Sequence, residues 1–254
     1  MIIIISPAKI QNFKPHQFTE KHTLPVFMKE AKKLVDLMRE LEPTELSKLL
    51  EINTKLTDLN YDRFFNWHLP FTPQNAKQAA FVFDGEVFRG LQASSLTPEE
   101  LEYAQQHLVI LSGLYGALRP LDLIQPYRLD VSSALQNEFG KDLYPFWQQK
   151  VTNFVLQQMK DTNSQTIINL ASSEYIKTLL LKGKKIHKID IEFYEYKNDK
   201  FKQIVIYTKK ARGLMARFLL KNKIVEVEDI KGFNDEGYWF YPQLSNENKF
   251  VFVR

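Results

Sequence analysis

Apolar residues recur along the chain at the spacing of helices and in runs typical of buried strands. Residues 24–41 carry apolar side chains one helical turn apart, with charged residues between them: Phe27, Ala31, Leu34, Val35 and Met38. Pro43 opens a second helical stretch, because proline suits a first turn. The sequence TPEE at 97–100 is a capping box, and it predicts a helix that ends at Gly113.

Strands are predicted where apolar and β-branched residues run together, at 1–6, 80–88, 166–171, 185–197, 200–208 and 249–254. Helical stretches fill three of the intervals, at 143–160, 173–182 and 209–222. Asn198-Asp199 tolerates left-handed backbone, which predicts an antiparallel hairpin between the two strands it separates. No linker, repeat or low-complexity segment divides the chain. The sequence therefore predicts one α/β domain over 1–254, a mixed β-sheet flanked by helices.

The composition is that of a globular protein, with 44% hydrophobic and 25% charged residues. Cysteine is absent, which excludes a disulfide framework, a thiolate metal site and a cysteine nucleophile, and fits a reducing cytoplasm. The apolar run Ile2–Ile5 is too short for a signal peptide or a membrane span. We therefore expect a cytoplasmic protein with no membrane partner. The net charge of +4 suggests an anionic partner only if the cations gather in one groove.

The stretch Leu49–Asn60 follows the pattern of a helix–hairpin–helix. In that motif the hairpin and the start of the second helix aim backbone N–H groups at a phosphate. The predicted phosphate contacts are Ile52, Asn53, Thr54 and Lys55. Glu51 and Asn53 stand where glycine would permit the closest approach, and a carboxylate repels a phosphate. The alternative interpretation is two helices that turn a corner.

The segment 110–131 combines two arginines with two prolines, which restrict the backbone beside them. Pro120 follows Arg119, and Pro126 lies close before Arg128. Such stiffness suits a fixed anion site on the rim of a groove. The alternative is a packed loop whose arginines pair with Asp122 and Asp130.

Basic residues also gather at the start of the last predicted helix, where Lys209 and Lys210 precede Arg212. Cations at a helix start oppose the helix dipole, and a bound polyanion would offset that cost. The alternative is an ordinary solvated basic face. Ser6 and Lys9 follow the first strand, and ligands of α/β sheets bind beyond strand ends, so both are candidates for the same cleft.

The sequence contains no recognisable catalytic constellation. The histidines are dispersed, without the spacing of metal ligands: His16, His22, His68, His107 and His187. A phosphate-binding loop, a dinucleotide fingerprint and a nucleophile elbow are absent. We therefore expect no metal and no cofactor. Enzymatic activity stays undecided, and the residues favour a protein without it.

Several blocks in fixed order resemble the YaaA family of bacterial peroxide-stress proteins, and the resemblance runs nearly from end to end. They are ISPAK at 5–9, LSGLYGALRPLD at 111–122, PYRL at 126–129, LYPFW at 143–147, NLAS at 169–172, KKARGLMARF at 209–218 and GFNDEGY at 232–238.

The resemblance implies a cytoplasmic protein with a family-specific α/β fold, a helix–hairpin–helix element and a positively charged cleft that binds double-stranded or distorted DNA. It also implies protection from hydrogen peroxide by limiting free intracellular iron and hence DNA damage. Carried onto this sequence, the hairpin falls on 52–55. The cleft falls on Lys9, Arg119, Arg128, Lys209, Lys210 and Arg212.

Three hypotheses follow for the function. The first is a DNA-binding stress protein that contacts backbone phosphates; without cysteine it has no peroxidatic thiol, so its protection is indirect. The second is an enzyme that modifies or repairs a base or nucleotide in the cleft. For that enzyme, stacking would fall to Tyr115, Tyr127 or Tyr238, and chemistry to Ser6, Lys9 or Glu174. The third is an iron-handling adaptor that acts through protein contacts.

Overall fold

A computed structural model describes residues 1–15 and 18–254. Its helices are α1 (Met28–Arg39), α2 (Pro43–Leu50), α3 (Thr54–Asn66), α4 (Ala79–Val82), α5 (Glu86–Leu91), α6 (Pro98–His107), α7 (Leu143–Asp161), α8 (Ser173–Ile176) and α9 (Val205–Lys221). Its strands are β1 (Ile2–Ile5), β2 (Lys77–Gln78), β3 (Leu108–Ser112), β4 (Gly116–Leu118), β5 (Leu123–Ile124), β6 (Thr166–Leu170), β7 (His187–Lys197), β8 (Lys200–Lys202), β9 (Trp239–Phe240) and β10 (Lys249–Val253).

The described residues form an eight-stranded mixed sheet in the order β4-β3-β1-β6-β7-β10-β9, with β8 paired to β7. Strands β3, β1, β6, β7 and β10 are parallel, whereas β4, β9 and β8 pair antiparallel to their neighbours. Strand β1 is completely apolar and buried, as expected for a central parallel strand. The predicted α/β architecture is confirmed, and so is the β7–β8 hairpin, whose turn residues Asn198 and Asp199 have φ of 52° and 55°.

The connections of β1 and β6 leave the sheet in opposite directions. The chain passes from β1 to β3 on one side, whereas it passes from β6 to β7 on the other. Such a switch point opens a crevice beyond the carboxyl ends of the two strands, where open α/β sheets bind ligands.

Two segments that the sequence predicted as strands contain the starts of helices instead. Residues 80–88 hold most of α4 and the start of α5, because Asp84 and Gly85 interrupt the apolar run and the residues after them recur at helical spacing. The strand predicted over 200–208 stops at Lys202, and Val205 begins α9. The helix predicted over 173–182 is confined to α8.

Strand β3 lies within a segment that was predicted to be helical. The helix that begins at Pro98 ends at His107, and Gly113 follows the strand rather than ending a helix. All five residues of β3 are buried, and a short apolar run cannot distinguish a strand from a buried helix. A Cβ at Gly113 would lie 2.1 Å from the carbonyl oxygen of Leu129, so the close approach of the backbone explains this glycine.

Helices α5 and α9 touch backbone to backbone. A Cβ at Gly213 would lie 1.9 Å from the carbonyl oxygen of Val87, and one at Gly90 would lie 2.3 Å from that of Lys210. Two glycines facing each other allow this contact, which no larger residue would permit. The contact brings the start of α5 and the basic face of α9 to the same end of the sheet.

Candidate functional site

The crevice beyond β1 and β6 encloses a cavity of ≈ 400 Å³. This volume suits a small ligand or one nucleotide, and it is too small for a duplex. Five parts of the chain line it: the segment after β1, the start of α5, the segment between β5 and α7, the segment after β6 and the first turns of α9. The polar lining residues are Ser6, Lys9, Asp84, Glu86, Arg89, Asp130, Ser172, Glu174, Tyr175, Lys209 and Arg212.

Asp130 is held in the crevice by two side chains. The Nζ atom of Lys9 lies 3.0 Å from its Oδ2, and the hydroxyl of Tyr175 donates to its Oδ1 at 3.2 Å. Burial, together with the charge of Asp130, raises the pKa of Tyr175 well above its ordinary value, so the phenol stays protonated and can donate. The sequence had suggested Arg128 as the partner of Asp130, but the structure gives that place to Lys9.

Two serine hydroxyls meet where β1 and β6 end. The hydroxyl of Ser6 lies 3.3 Å from that of Ser172, and the backbone N–H of Ser172 donates to Ser6 Oγ at 2.9 Å. Ser172 also caps α8 by accepting from the N–H of Tyr175. Nearby, Ser132 donates to the carboxylate of Glu174 at 2.7 Å. The hydroxyls can donate to a ligand oxygen, and among the described residues neither forms a hydrogen bond with a histidine or a lysine amine.

Lys209 and Arg212 project from one side of α9 towards the cavity. Neither forms an ion pair with any described residue. The Nε of Arg212 is buried and has no hydrogen-bond partner. Burial lowers the pKa of its guanidinium, although the charges of Glu192 and Asp190 oppose the shift. Buried donors are nearly always satisfied, so the unpaired Nε is typical of a site that receives an acceptor from a ligand.

Arg89 is a crevice residue that the sequence did not single out. Its guanidinium pairs with Asp84 at 3.1 Å and with Glu86 at 2.7 Å. The two acids therefore already satisfy this cation, which leaves Lys209 and Arg212 as the cations of the described lining that form no ion pair. A strand had been predicted over 80–88, which ends before Arg89, and only the helical backbone of α5 brings Arg89 beside Glu86 three residues earlier.

Arg128 lies between the crevice and a second cavity. A narrow gap lined by Arg128 shares Lys9 and Asp130 with the crevice, and it shares Gln11 with a cavity of ≈ 520 Å³ against α3. The Nε of Arg128 is buried without a partner in the described residues. The chain thus brings Lys9, Lys209, Arg212 and Arg128 to neighbouring cavities.

Two of the predicted cleft cations are bound to acids outside this lining. Arg119 pairs with buried Asp122 at 2.9 Å, the alternative interpretation that the sequence had offered for it. Lys210 pairs with Glu236. The DNA contacts predicted for Arg119 and Lys210 would require these ion pairs to break.

The predicted hairpin residues connect α2 to α3. Glu51 ends α2 with a left-handed φ of 51°, and the side chain of Asn53 accepts from the N–H of Leu56 at the start of α3. Thr54 and Lys55 are exposed, and Ile52 is half-buried. This turn leaves backbone N–H groups at an exposed helix start, and their contact with phosphate stays a prediction.

The tyrosines that the enzyme hypothesis assigned to base stacking belong to the core. Their exposed fractions are 0% for Tyr115, 3% for Tyr127 and 1% for Tyr238. The first two anchor the segment 110–131, since Tyr115 accepts from the indole of Trp67 and Tyr127 bonds Ser112. Aromatic stacking in the crevice therefore cannot come from these three rings.

No group of three or more metal-ligating side chains occurs within residues 1–15 and 18–254. His16 lies outside this range. A helix long and apolar enough to cross a bilayer is not found in the same residues.

The crevice residues that the sequence missed come from strand and helix ends. Ser172 directly follows β6, so the rule that ligands bind beyond parallel strands would have selected it as it selected Ser6. Tyr175 and Arg89 carry no comparable signal, because each reaches the site through a helix whose position depends on tertiary packing.

The chain is similar to known proteins over its whole length. A family model described as "Peroxide stress protein YaaA" matches residues 1–244. A protein of Saccharophagus degradans described as "UPF0246 protein" is 44% identical over 254 residues, which is 100% of this chain and 99% of that relative. The resemblance drawn from the sequence blocks is thereby confirmed.

Proposed function

The chain belongs to the YaaA family of peroxide stress proteins, and from that premise we propose that it protects DNA by binding backbone phosphates at the crevice beyond β1 and β6. The predicted partner is double-stranded or distorted DNA in the cytoplasm. Because the chain has no cysteine, it has no thiol that could reduce peroxide, so its protection is indirect. We include the limitation of free intracellular iron in the same proposal, as a downstream effect.

The observation that carries the proposal is the unpaired Nε of Arg212 beside the unpaired cation Lys209. A phosphate oxygen would satisfy the buried donor, and the hydroxyls of Ser6 and Ser172 face the same cavity. Guanidinium and hydroxyl donors at the carboxyl end of a parallel sheet are the groups expected to contact phosphate.

The size of the cavity limits how DNA can bind. A duplex has to lie across the mouth, with Lys9 and Arg128 along the rim, while one phosphate or one extruded nucleotide enters. The turn at 52–55, which is exposed from Asn53 to Lys55, is a second phosphate contact in this proposal. Arg119 and Lys210 are left out of it because neither lines the crevice and each holds a carboxylate outside it.

A second candidate function, the modification or repair of an extruded base or nucleotide, is favoured by the arrangement of Asp130. Tyr175 and Lys9 orient this carboxylate in the same cavity as the two serine hydroxyls. An oriented acid beside possible nucleophiles is a minimal catalytic arrangement. Release of a base or strand scission from lesion-bearing duplexes would identify it, whereas no turnover across a broad lesion panel favours binding alone.

The test of phosphate binding is the affinity for a labelled duplex as a function of salt. Each neutralised phosphate contributes about −0.9 to the slope of log affinity against log salt. We expect Arg212→Gln to reduce the magnitude of the slope by roughly one and to weaken binding about tenfold. Lys160→Gln, an equal charge change at an exposed position of α7, is the matched control and should behave as wild type. Identical slopes for the two variants would refute the assignment of the crevice.

A further inference from the structure

The ion pairs of the crevice leave three of its charged side chains over. Five lining residues pair with one another: Lys9 with Asp130, and Arg89 with Asp84 and Glu86. Lys209, Arg212 and Glu174 line the same cavity, and none of them forms an ion pair with a described residue. The cavity therefore presents two cations and one acid to whatever binds in it.

One carboxylate oxygen of Glu174 accepts no hydrogen bond from the described residues. Ser132 donates to its Oε1 at 2.7 Å, which leaves Oε2 for a ligand. The hydroxyl of Tyr144 holds the backbone of Glu174 by donating to its carbonyl oxygen at 3.2 Å. An ionised carboxylate only accepts hydrogen bonds, so Oε2 selects a ligand that carries a donor such as a hydroxyl group.

Lys209 and Arg212 need the opposite chemistry, that of an anion with several oxygens. The Nε of Arg212 is buried and unbonded, and it would donate to such an oxygen. A phosphate monoester carries about −1.5 to −2 charges at neutral pH, which matches two cations, whereas a phosphodiester of the DNA backbone carries only one negative charge. The charge of the two side chains thus fits a terminal phosphate better than a backbone phosphate.

The cavity is also too large for a phosphate group alone. Its volume is ≈ 400 Å³, within the range of small-molecule sites. Apolar side chains complete the lining, and they would pack against the carbon atoms of a larger ligand: Pro7, Ala8, Ile10, Val87 and Leu170. A bare phosphate would leave these side chains and Glu174 without a contact.

We propose that the crevice binds a small sugar phosphate, with its phosphate monoester at Lys209 and Arg212 and a sugar hydroxyl that donates to Glu174. The ligand is either a free sugar phosphate or a free nucleoside monophosphate, because both present the same monoester and the same hydroxyls. This binding does not require DNA. Its consequence for DNA rests on the proposed function: a ligand in the crevice would exclude the DNA phosphate and so regulate DNA binding by competition.

The test uses the full chain without DNA and compares two ligands by calorimetry, ribose 5-phosphate and inorganic phosphate. Glu174→Gln keeps an acceptor for Ser132 and puts an amide nitrogen in the place of Oε2. Loss of the negative charge should tighten the binding of inorganic phosphate by roughly threefold. Ribose 5-phosphate should instead bind about fivefold more weakly, because the amide nitrogen cannot accept from a hydroxyl.

The opposite signs of these two changes distinguish a sugar-phosphate site from a site for anions in general. Tighter binding of both ligands by Glu174→Gln, or no binding of ribose 5-phosphate by wild type, would overturn the proposal. Arg212→Gln should weaken both ligands by about tenfold. Glu226→Gln removes an exposed acid outside the lining and should leave both affinities at the wild-type value. Retained binding of inorganic phosphate shows that Glu174→Gln is folded.

Adenosine 5′-monophosphate identifies which form of the sugar phosphate is the ligand. Tighter binding than ribose 5-phosphate means that the base adds contacts and the ligand is a nucleotide, whereas weaker binding means a free sugar phosphate. In a separate assay, ribose 5-phosphate should displace a labelled duplex, with chloride at equal ionic strength as the control. Because calorimetry is done without DNA, failure of the sugar-phosphate site and failure of the proposed function are distinguishable.

Discussion

Arg119 and Asp122 form an ion pair whose acid is completely buried, with 0% of the Asp122 side chain exposed and 2.9 Å between Nη2 and Oδ1. The backbone N–H of Arg119 donates to Oδ2 at 2.8 Å, and the hydroxyl of Thr23 donates to Oδ1 at 2.6 Å. The guanidinium also donates to the carbonyl of Leu24 at 3.2 Å. The pair therefore ties the segment before α1 to the turn between β4 and β5.

Loss of this acid should destabilise the fold. Asp122→Asn leaves Arg119 without its charge partner in a largely buried setting, and we expect the free energy of unfolding to fall by about 3 kcal/mol. The control is Asp36→Asn, which breaks the surface ion pairs of Asp36 with Lys32 and Arg39 and should cost less than about 1 kcal/mol. Urea denaturation measures both, and equal losses would contradict a framework role for Asp122.

The contact between α5 and α9 depends on the absence of side chains. A methyl group at Gly213 would lie 1.9 Å from the carbonyl oxygen of Val87, so Gly213→Ala has to separate the helices and should cost about 3 kcal/mol. Gly232→Ala is the control, because a Cβ there meets nothing within 4 Å and no left-handed φ is involved. A Gly213→Ala protein as stable as Gly232→Ala in urea would show that the helices tolerate separation.

Much of the fold could be predicted from the sequence where local patterns are unambiguous. Three such patterns each predicted one element correctly. The capping box at Thr97 marks the start of α6, the apolar run Ile2–Ile5 is β1, and the turn at Asn198-Asp199 joins β7 to β8. The errors lie where the same pattern fits two structures. β3 is a short apolar run that continues directly from α6, and α5 follows an interrupted run that looked strand-like.

The site could be predicted only in part, for a different reason. Lys9, Lys209 and Arg212 were selected from strand and helix ends, and they do line one crevice. Whether a cation is free depends on acids that are distant in sequence, such as Glu236, which pairs with Lys210.

The stability should depend on pH through His107. Its ring lies 3.0 Å from the carbonyl oxygen of Met1 and stacks on Tyr103 with 4.0 Å between centroids. Burial lowers the pKa of His107 below its ordinary value of 6.5, with a smaller contribution from the amino terminus, although the bond to Met1 opposes the shift.

Because the folded pKa is lowered, the unfolded chain takes up the proton first as the pH falls. The stabilisation by neutral His107 is thus present above pH 6.5 and is lost as the pH falls through that value towards the folded pKa. Urea midpoints between about pH 8 and pH 5.5 should show a steeper decline for wild type than for His107→Asn, which keeps a donor for Met1. Parallel profiles would mean that other groups cause the decline.

Asp130 competes with a bound phosphate for Lys9. The two side chains are 3.0 Å apart at the mouth of the crevice, and a carboxylate in that position also repels the DNA backbone. Asp130→Asn frees the lysine and removes one negative charge while it keeps the size of the side chain and an acceptor for Tyr175. We therefore expect tighter DNA binding, by roughly fivefold at low salt, with a salt slope steeper by about one.

The same substitution separates the two candidate functions. If the crevice only binds DNA, Asp130→Asn gains affinity and loses nothing else. If Asp130 is the acid or base of a reaction on an extruded nucleotide, the variant binds more tightly but loses turnover, because an amide cannot exchange the proton. Glu226→Gln, an acid neutralised outside the lining of the crevice, controls for net charge and should change neither property. Weaker binding by Asp130→Asn would place the phosphate away from Lys9 and contradict the proposed path of the backbone.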